Sequence, residues 1–407
     1  MKFTLPLILA LSLPLAVQAQ IQNKTNANPA HTAAGKKTAA SAQPVAMEEP
    51  AGQAPKLSAN TYLLYDYTSK QVLLEQASHE RVEPASLTKL MTAYLTFSAL
   101  RDGKISLSQK ITPSTQAVKS QHADSRMFLS HNNTVSIDEL IHGLIIVSAN
   151  DAARVLAETI AGNEAAFAEQ MNQQAARLGM VDTHFANASG MPDPLHYSSA
   201  YDMALLTAAI INDFPEHFPL YAMREYEYNH VKSYNRNRLL WLDPYVDGMK
   251  TGHTESAGYS LIATAKRNSH RLISVVLGTS SESLRSSESQ RLLNYGLQNF
   301  DMYRIYQSNE TVRDIRLWKG TENTLKAGLR DGLIITLPKG QRNLLKATIE
   351  TEQPLLAPIS NGQQVGVLKL TFDNRPYLEL PLVALESVPL VNIFSRGIDS
   401  IRMIFSR

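Results

Sequence analysis

The chain has 407 residues, 44% hydrophobic and 19% charged, enough for two or three folded domains. A formal net charge of +2 gives no electrostatic case for nucleic-acid binding. The absence of cysteine excludes disulfides, thiolate nucleophiles and cysteine-ligated zinc.

In chain order, Lys2 and the short apolar run Leu5 to Val17, followed by Val17-Gln18-Ala19, read as an export signal removed after residue 19. The run is too short for a membrane span, and Pro6 and Pro14 interrupt it. Residues 20–56 are polar and small, without apolar periodicity, and are expected to form a flexible leader. Order is expected from Ser58. Thr61 to Thr68 and Gln71 to Leu74 read as a hairpin turning at Ser69-Lys70. Ser86 to Leu100 has helical spacing, with Leu87, Leu90, Met91, Tyr94 and Leu95 on one side. Ile137 to Asp213 reads as mostly helical, broken by a loop at 187–194. Strands return at Tyr259 to Ala265 and Arg271 to Leu277, followed by a helix from Arg285 to Phe300. The first domain, 57–303, is thus predicted as α/β, an antiparallel sheet built from both ends of the segment with a helical insertion between them.

From 304 to 386 short strands recur at Leu333 to Leu337, Leu344 to Glu350, Gly366 to Phe372 and Tyr377 to Val383, with a hairpin turn at Asp373-Asn374-Arg375-Pro376. A small all-β domain is expected there. In 387–407, Leu390, Phe394, Ile398, Ile401 and Phe405 recur every three or four positions, while Arg396, Asp399, Ser400, Arg402 and Arg407 fall mainly elsewhere on the wheel. An amphipathic helix lying in a membrane interface is expected. Packing of this last helix on the β-domain is the alternative.

Three short motifs carry chemistry. Ser86-Leu87-Thr88-Lys89 is the one Ser-x-x-Lys in the chain. Residues three apart on a helix share a face, so the lysine amine can reach the serine hydroxyl. A free hydroxyl is a weak nucleophile and needs an adjacent base. Pro84 and Ala85 place Ser86 at a helix start, where free N–H groups favour developing negative charge. Ser148-Ala149-Asn150 follows an apolar run and precedes a helical one, so both side chains either face a cleft or cap the helix. Other Ser-x-Asn triplets begin at Ser58, Ser130 and Ser233. Lys250-Thr251-Gly252, with His253 and Thr254 after it, opens the strand-rich return. A strand edge can pair with an extended peptide, Gly252 permits close approach, and Lys250 and Thr251 can engage a carboxylate. An ordinary basic turn is the bland reading.

In this order the three motifs resemble the penicillin-binding and serine β-lactamase superfamily, with its S-x-x-K, S-x-N and K-T-G signatures. Residues 83–89 and 246–254, together with Asp182-Thr183-His184-Phe185 and Ser199-Ala200-Tyr201-Asp202-Met203, are similar to the low-molecular-weight D-alanyl-D-alanine carboxypeptidases. The likeness spans roughly residues 57–385 and extends to that family's amphipathic anchor. It implies a transpeptidase-like fold and no cofactor or metal. Ser86 would attack the carbonyl between two D-Ala residues of a peptidoglycan stem peptide, and β-lactams would acylate it. Lys89 would be the base, Ser148 and Lys250 would relay protons, and Asn150 would hold a peptide carbonyl. The backbone N–H groups of Ser86 and His253 would form an oxyanion hole. Thr251 and Arg285 would meet the terminal carboxylate beside Gly252, although Arg285 could equally be a solvated helix-start residue. The likeness also implies a periplasmic enzyme anchored peripherally on the outer face of the inner membrane. One departure stands out: related carboxypeptidases often carry Arg where Tyr201 stands, and Tyr201 supplies no positive charge.

A β-lactamase would need a deacylating base, and no Glu-x-x-Leu-Asn element follows Ser148. A D,D-endopeptidase, or a penicillin-binding scaffold with low turnover, fits the same motifs. His184 and His196 lack the spacing of a zinc peptidase.

Overall fold

The computed structural model describes residues 54–119, 125–351 and 353–392. The predicted signal peptide, all but the last three residues of the predicted leader, and 393–407 of the predicted tail helix lie outside them.

The buried Glu288 carboxylate accepts hydrogen bonds from the Ser58 N–H and hydroxyl and from the Ala59 N–H. Strands β1 (Thr61–Asp66) and β2 (Gln71–Gln76) form the predicted hairpin. A 3-10 turn, Ala85–Thr88, runs into α1 (Lys89–Arg101). The short strands β3 (Lys110–Ile111) and β4 (Val135–Ser136) pair ahead of α2 (Ile137–His142), which starts in a capping box between Ser136 and Glu139. Helices α3 (Asn150–Ala161), α4 (Glu164–Leu178) and α5 (Ala200–Asp213) complete the insertion. The hairpin β5 (Glu225–Tyr228) and β6 (Val231–Tyr234) and the short α6 (Leu239–Leu242) lead back to β7 (Val246–Thr254), β8 (Gly258–Arg267), β9 (His270–Thr279) and α7 (Glu282–Asn299).

The main sheet is antiparallel in the order β2-β1-β9-β8-β7. Its strands read as near-continuous apolar runs because both faces are buried. Side chains alternate between the faces. Leu63, Ile273 and Val275 join the core shared with Phe97 of α1 and Leu206 of α5, while Leu64, Leu272 and Val276 pack with Leu292 and Leu293 of α7. This strand order leaves β7 at the edge. There it meets the 3-10 turn so closely that a Cβ on Gly252 would stand 3.0 Å from the Pro84 carbonyl oxygen.

The second domain holds β10 (Phe300–Tyr306), β11 (Thr311–Trp318), β12 (Thr324–Gly328), β13 (Leu333–Pro338), β14 (Leu345–Thr351), β15 (Leu355–Leu356), β16 (Gln364–Phe372) and β17 (Arg375–Ala384). Six strands form a sheet in the order β14-β16-β17-β12-β11-β15, and β10 pairs with β13. The predicted turn is a tight hairpin with Asp373 and Asn374 both at positive φ, so Arg375 already belongs to β17. Sequence periodicity misses β10, β11 and β12. In β11 the charged Arg313, Asp314 and Arg316 sit on exposed positions and mask the strand.

Two predicted boundaries shift. The β-domain begins at Phe300, not 304, since β10 starts directly where α7 ends. It also continues past 386. Ser387–Asn392 is extended instead of helical, with Val388 bridging to Ile359 and Leu390 to Gly320. Pro389 cannot donate within a helix, and its carbonyl accepts from the Thr321 N–H.

A buried polar latch joins the domains. Gln71 accepts from the Thr336 N–H (2.7 Å) and donates to the Thr336 carbonyl (3.1 Å) and the Tyr377 hydroxyl (2.6 Å). The fully buried Asp66 carboxylate accepts from the Thr336 hydroxyl and faces His270 Nε2 at 2.7 Å. Unpaired buried groups cost about 1–3 kcal/mol each. Gln71→Ala is therefore expected to lower the unfolding free energy by about 3 kcal/mol in urea denaturation. An unchanged midpoint would show that the latch does not hold the domains together.

Candidate active site

Ser86 and Lys89 meet because of the 3-10 turn. Three residues per turn eclipse positions i and i+3. Lys89 Nζ donates to Ser86 Oγ at 2.9 Å. It also donates to Asn150 Oδ1 and to the Ser189 carbonyl, both at 2.6 Å. Lys89 is almost fully buried at 1% exposure, whereas Ser86 keeps an open side. Ala85, just before the nucleophile candidate, is held at φ 47°, a conformation costly for a residue with a Cβ.

Ser148 and Asn150 do not cap a helix. The residue at the start of α3 is Ala149, with no side-chain cap. Instead, a π-turn at Gly143–Val147 throws Ser148 into the left-handed region (φ 64°), and its hydroxyl accepts from Lys250 Nζ at 2.8 Å. Asn150, the first residue of α3, turns its amide oxygen to Lys89 and its amide nitrogen toward Met191 Sδ. The buried Asp151 accepts from the Met127 and Leu129 N–H groups and pins the neighbouring segment.

Lys250, Thr251 and Gly252 lie mid-strand in β7, opposite Ile262, Leu261 and Ser260 of β8, so the basic-turn reading is excluded. Lys250 is buried and also donates to the Thr251 carbonyl at 3.1 Å. Burial pushes its pKa well below the usual lysine value, helped by the charges of Lys89, Arg236 and Arg285. The His253 ring is exposed and lies 4.0 Å from the Tyr259 ring. Arg285 is not solvated. It is 4% exposed, donates to the Gly252 carbonyl at 3.4 Å, pairs with Glu282 at 3.5 Å and sits 5.5 Å over Tyr259. All three motifs therefore converge on the free edge of β7, and two buried lysines each touch a serine hydroxyl there.

The D-alanyl-D-alanine carboxypeptidase family model matches residues 48–281, and the model of the penicillin-binding protein 5 C-terminal domain matches 300–390. The chain belongs to the D-alanyl-D-alanine carboxypeptidase family. It is 39% identical to the D-alanyl-D-alanine carboxypeptidase DacA of Haemophilus influenzae over 84% of this chain and 88% of that one. The crystal structure of penicillin binding protein 5 from H. influenzae superposes with TM-score 0.80 at 38% identity, covering 83% of this chain and 99% of that one. Penicillin-Binding Protein D2 from Listeria monocytogenes in its cefotaxime-bound form gives 0.57 at 30% identity, over 61% and 100%.

Within this carboxypeptidase family member, sequence reasoning missed the contribution of the 187–196 loop. The sequence shows only a loop at 187–194, yet its Ser189 carbonyl completes the Lys89 cage. Asn187 Oδ1 gathers the N–H groups of Ser189, Gly190 and Met191. Gly190 is required where it stands, because φ is 83° and a Cβ would fall 1.8 Å from the Ala85 carbonyl oxygen. His196 closes the loop: its Nδ1 accepts from the Ala186 N–H at 3.0 Å, so Nε2 carries the proton toward Thr88 Oγ1 at 2.7 Å. A loop held by one Asn and one Gly between helices was the available signal. Tyr201, the departure from the family pattern, packs its ring 4.6 Å from His79 and donates its N–H to the Ser78 carbonyl.

Burial lowers the His196 pKa to about 4 from a usual value of 6.5. The unfolded chain takes up this proton near pH 6.5, whereas the folded chain resists until near pH 4. Stability is therefore complete above about 6.5, falls as pH drops through that window, and levels off near 4. Between pH 7 and pH 5 the loss assigned to this site is about 2 kcal/mol. Urea midpoints at the two pH values check it, and His196→Gln should flatten the dependence.

Proposed function

We propose that this protein is a serine D-alanyl-D-alanine carboxypeptidase that removes the last D-alanine from peptidoglycan stem peptides through an acyl-enzyme on Ser86. The observation carrying the reading is the 2.9 Å bond from the buried Lys89 amine to Ser86 Oγ, beside the Lys250–Ser148 pair. Lys89 takes the Ser86 proton as Oγ attacks the carbonyl between the two D-alanines. The N–H groups of Ser86 and His253 hold the oxyanion, and Asn150 steadies the peptide carbonyl. The C–N bond breaks, and the proton reaches the leaving amine through Ser148 and Lys250. Water then hydrolyses the ester and frees the shortened stem. Thr251 and the Arg285 guanidinium supply hydrogen bonding and positive charge for the terminal carboxylate. β-Lactams present a carbonyl to the same serine, as suits a relative of a protein solved in a cefotaxime-bound form.

The location follows the same reading. The apolar run Leu5 to Val17 exports the chain to the periplasm, and the amphipathic periodicity of 393–407 holds it peripherally on the inner membrane.

Release of D-alanine from a pentapeptide ending in D-Ala-D-Ala is expected, and Ser86→Ala and Lys89→Ala should each lower it by at least about 10³-fold. No release, with labelled penicillin still bound at Ser86, would move the D,D-endopeptidase or low-turnover reading to first place. Deleting 393–407, which leaves the β-domain bridges of Val388 and Leu390 in place, is expected to release the protein from membranes with activity retained. Persistent membrane binding would place the anchor elsewhere.

A further inference from the structure

The six-stranded sheet of the second domain ends on one side in β15, two residues long, and on the other in β14, seven residues long. The inner side of β14 pairs with β16 without a break, from Leu345 opposite Phe372 to Thr351 opposite Gly366. On its outer side, no backbone N–H or carbonyl of β14 has a partner among the described residues. Lys346, Ala347 and Thr348, in the middle of the strand, are all exposed. Neither a proline nor a bulge interrupts β14, and a straight unpaired edge of this kind is a template for a further strand.

The sequence of the edge names the strand that fits. Leu345-Lys346-Ala347-Thr348-Ile349-Glu350-Thr351 is self-complementary when a second copy runs antiparallel about Thr348. Lys346 then stands opposite Glu350 of the other copy, and the same pair recurs across the two-fold axis. Directly opposed unlike charges stabilise an antiparallel pair, and like charges oppose it. Parallel pairing in register would set lysine beside lysine and glutamate beside glutamate. An edge lysine discourages pairing with most strands, but with a second β14 it does the opposite. Lys346 already reaches Asn374 Oδ1 at 2.7 Å, and Glu350 pairs with Lys369 at 2.6 Å. An ammonium has three donors and a carboxylate two oxygens, so both retain capacity for the copy. On the opposite face Ile349, packed against the domain core, comes beside Ala347 of the other copy and prolongs the apolar side of the sheet.

We infer that β14 is a docking edge for a second copy of this chain, giving a two-fold dimer with one sheet continuous across both C-terminal domains. None of the residues in the proposed reaction lies on β14, so each copy keeps its own site. The inference goes beyond the carboxypeptidase reading and stands without it.

Charge reversal tests it with the full chain in mild detergent, by sedimentation at about 0.01–0.1 mM, the range a small interface calls for. Lys346→Glu and Glu350→Lys each set like charges opposite one another twice. Each should raise the dimer dissociation constant at least about tenfold. In an equimolar mixture of the two variants every reversed position meets an opposite charge, and the dimer should return. Thr348→Cys supplies a second readout, because the chain has no cysteine of its own and Thr348 lies on the axis. Opposed Cα atoms about 4.5–5.5 Å apart suit a disulfide, so this variant should cross-link on mild oxidation much faster than Ser360→Cys, on an exposed turn. A monomer throughout overturns the inference, as does a dimer that neither reversal weakens or that the mixture fails to restore. If a reversal variant fails to fold, the cross-link decides alone, and equal rates for the two cysteine variants overturn it.

Discussion

Burying an amine costs several kcal/mol unless its hydrogens find acceptors. Lys89 meets that condition with three, and they come from three separate parts of the chain: Ser86 on the 3-10 turn, Asn150 at the start of α3, and the Ser189 carbonyl in the loop before α5. Moving any one of these elements would leave a donor unsatisfied inside the protein. The amine is thus a packing constraint as well as a chemical group. It sets where the turn, the helix start and the loop lie relative to each other, and so where Ser86 points.

Much of the surrounding structure serves that constraint through local conformations that are costly in isolation. Ala85 and Ser148 both take positive φ, and each flanks or carries a hydroxyl that a lysine reaches. Gly190 presses its backbone against Ala85, where no side chain fits. Strain of about 1–3 kcal/mol per residue persists only where neighbours over-determine it. Here the neighbours are the 187–196 loop, hydrogen-bonded through Asn187 and His196, on one side and the two-faced sheet on the other. The second domain contributes support from outside the site, through Thr336 and Tyr377 acting on the β1–β2 hairpin.

What was legible in the sequence divides by range. Ser86 with Lys89, and Lys250 with Thr251 and Gly252, are local patterns whose geometry follows from helix and strand period. Ser148 and Asn150 required a choice between capping and a cleft, and the left-handed Ser148 decides it, a feature with no signature in residue type. The Ser189 carbonyl was invisible because any residue supplies a carbonyl. Arg285 reads equally as a carboxylate ligand or a solvated helix-start residue, because its burial depends on Tyr259 and Gly252, which β7 and β8 bring together from a distance. In the second domain, apolar strands were readable, while β11 hid behind charged exposed positions and the stretch after 386 read as helix despite Pro389.

The two buried lysines differ in their surroundings. Lys89 sits among three acceptors, whereas Lys250 has the Ser148 hydroxyl and one carbonyl, with Lys89, Arg236 and Arg285 all opposing its charge. A lysine whose charged form is disfavoured gives up a proton more readily than an exposed one. The side-chain hydrogen bond of Lys250 runs to the Ser148 hydroxyl. The two amines thus lie in one site under different constraints: three acceptors surround Lys89, whereas burial and neighbouring cations oppose the charge on Lys250.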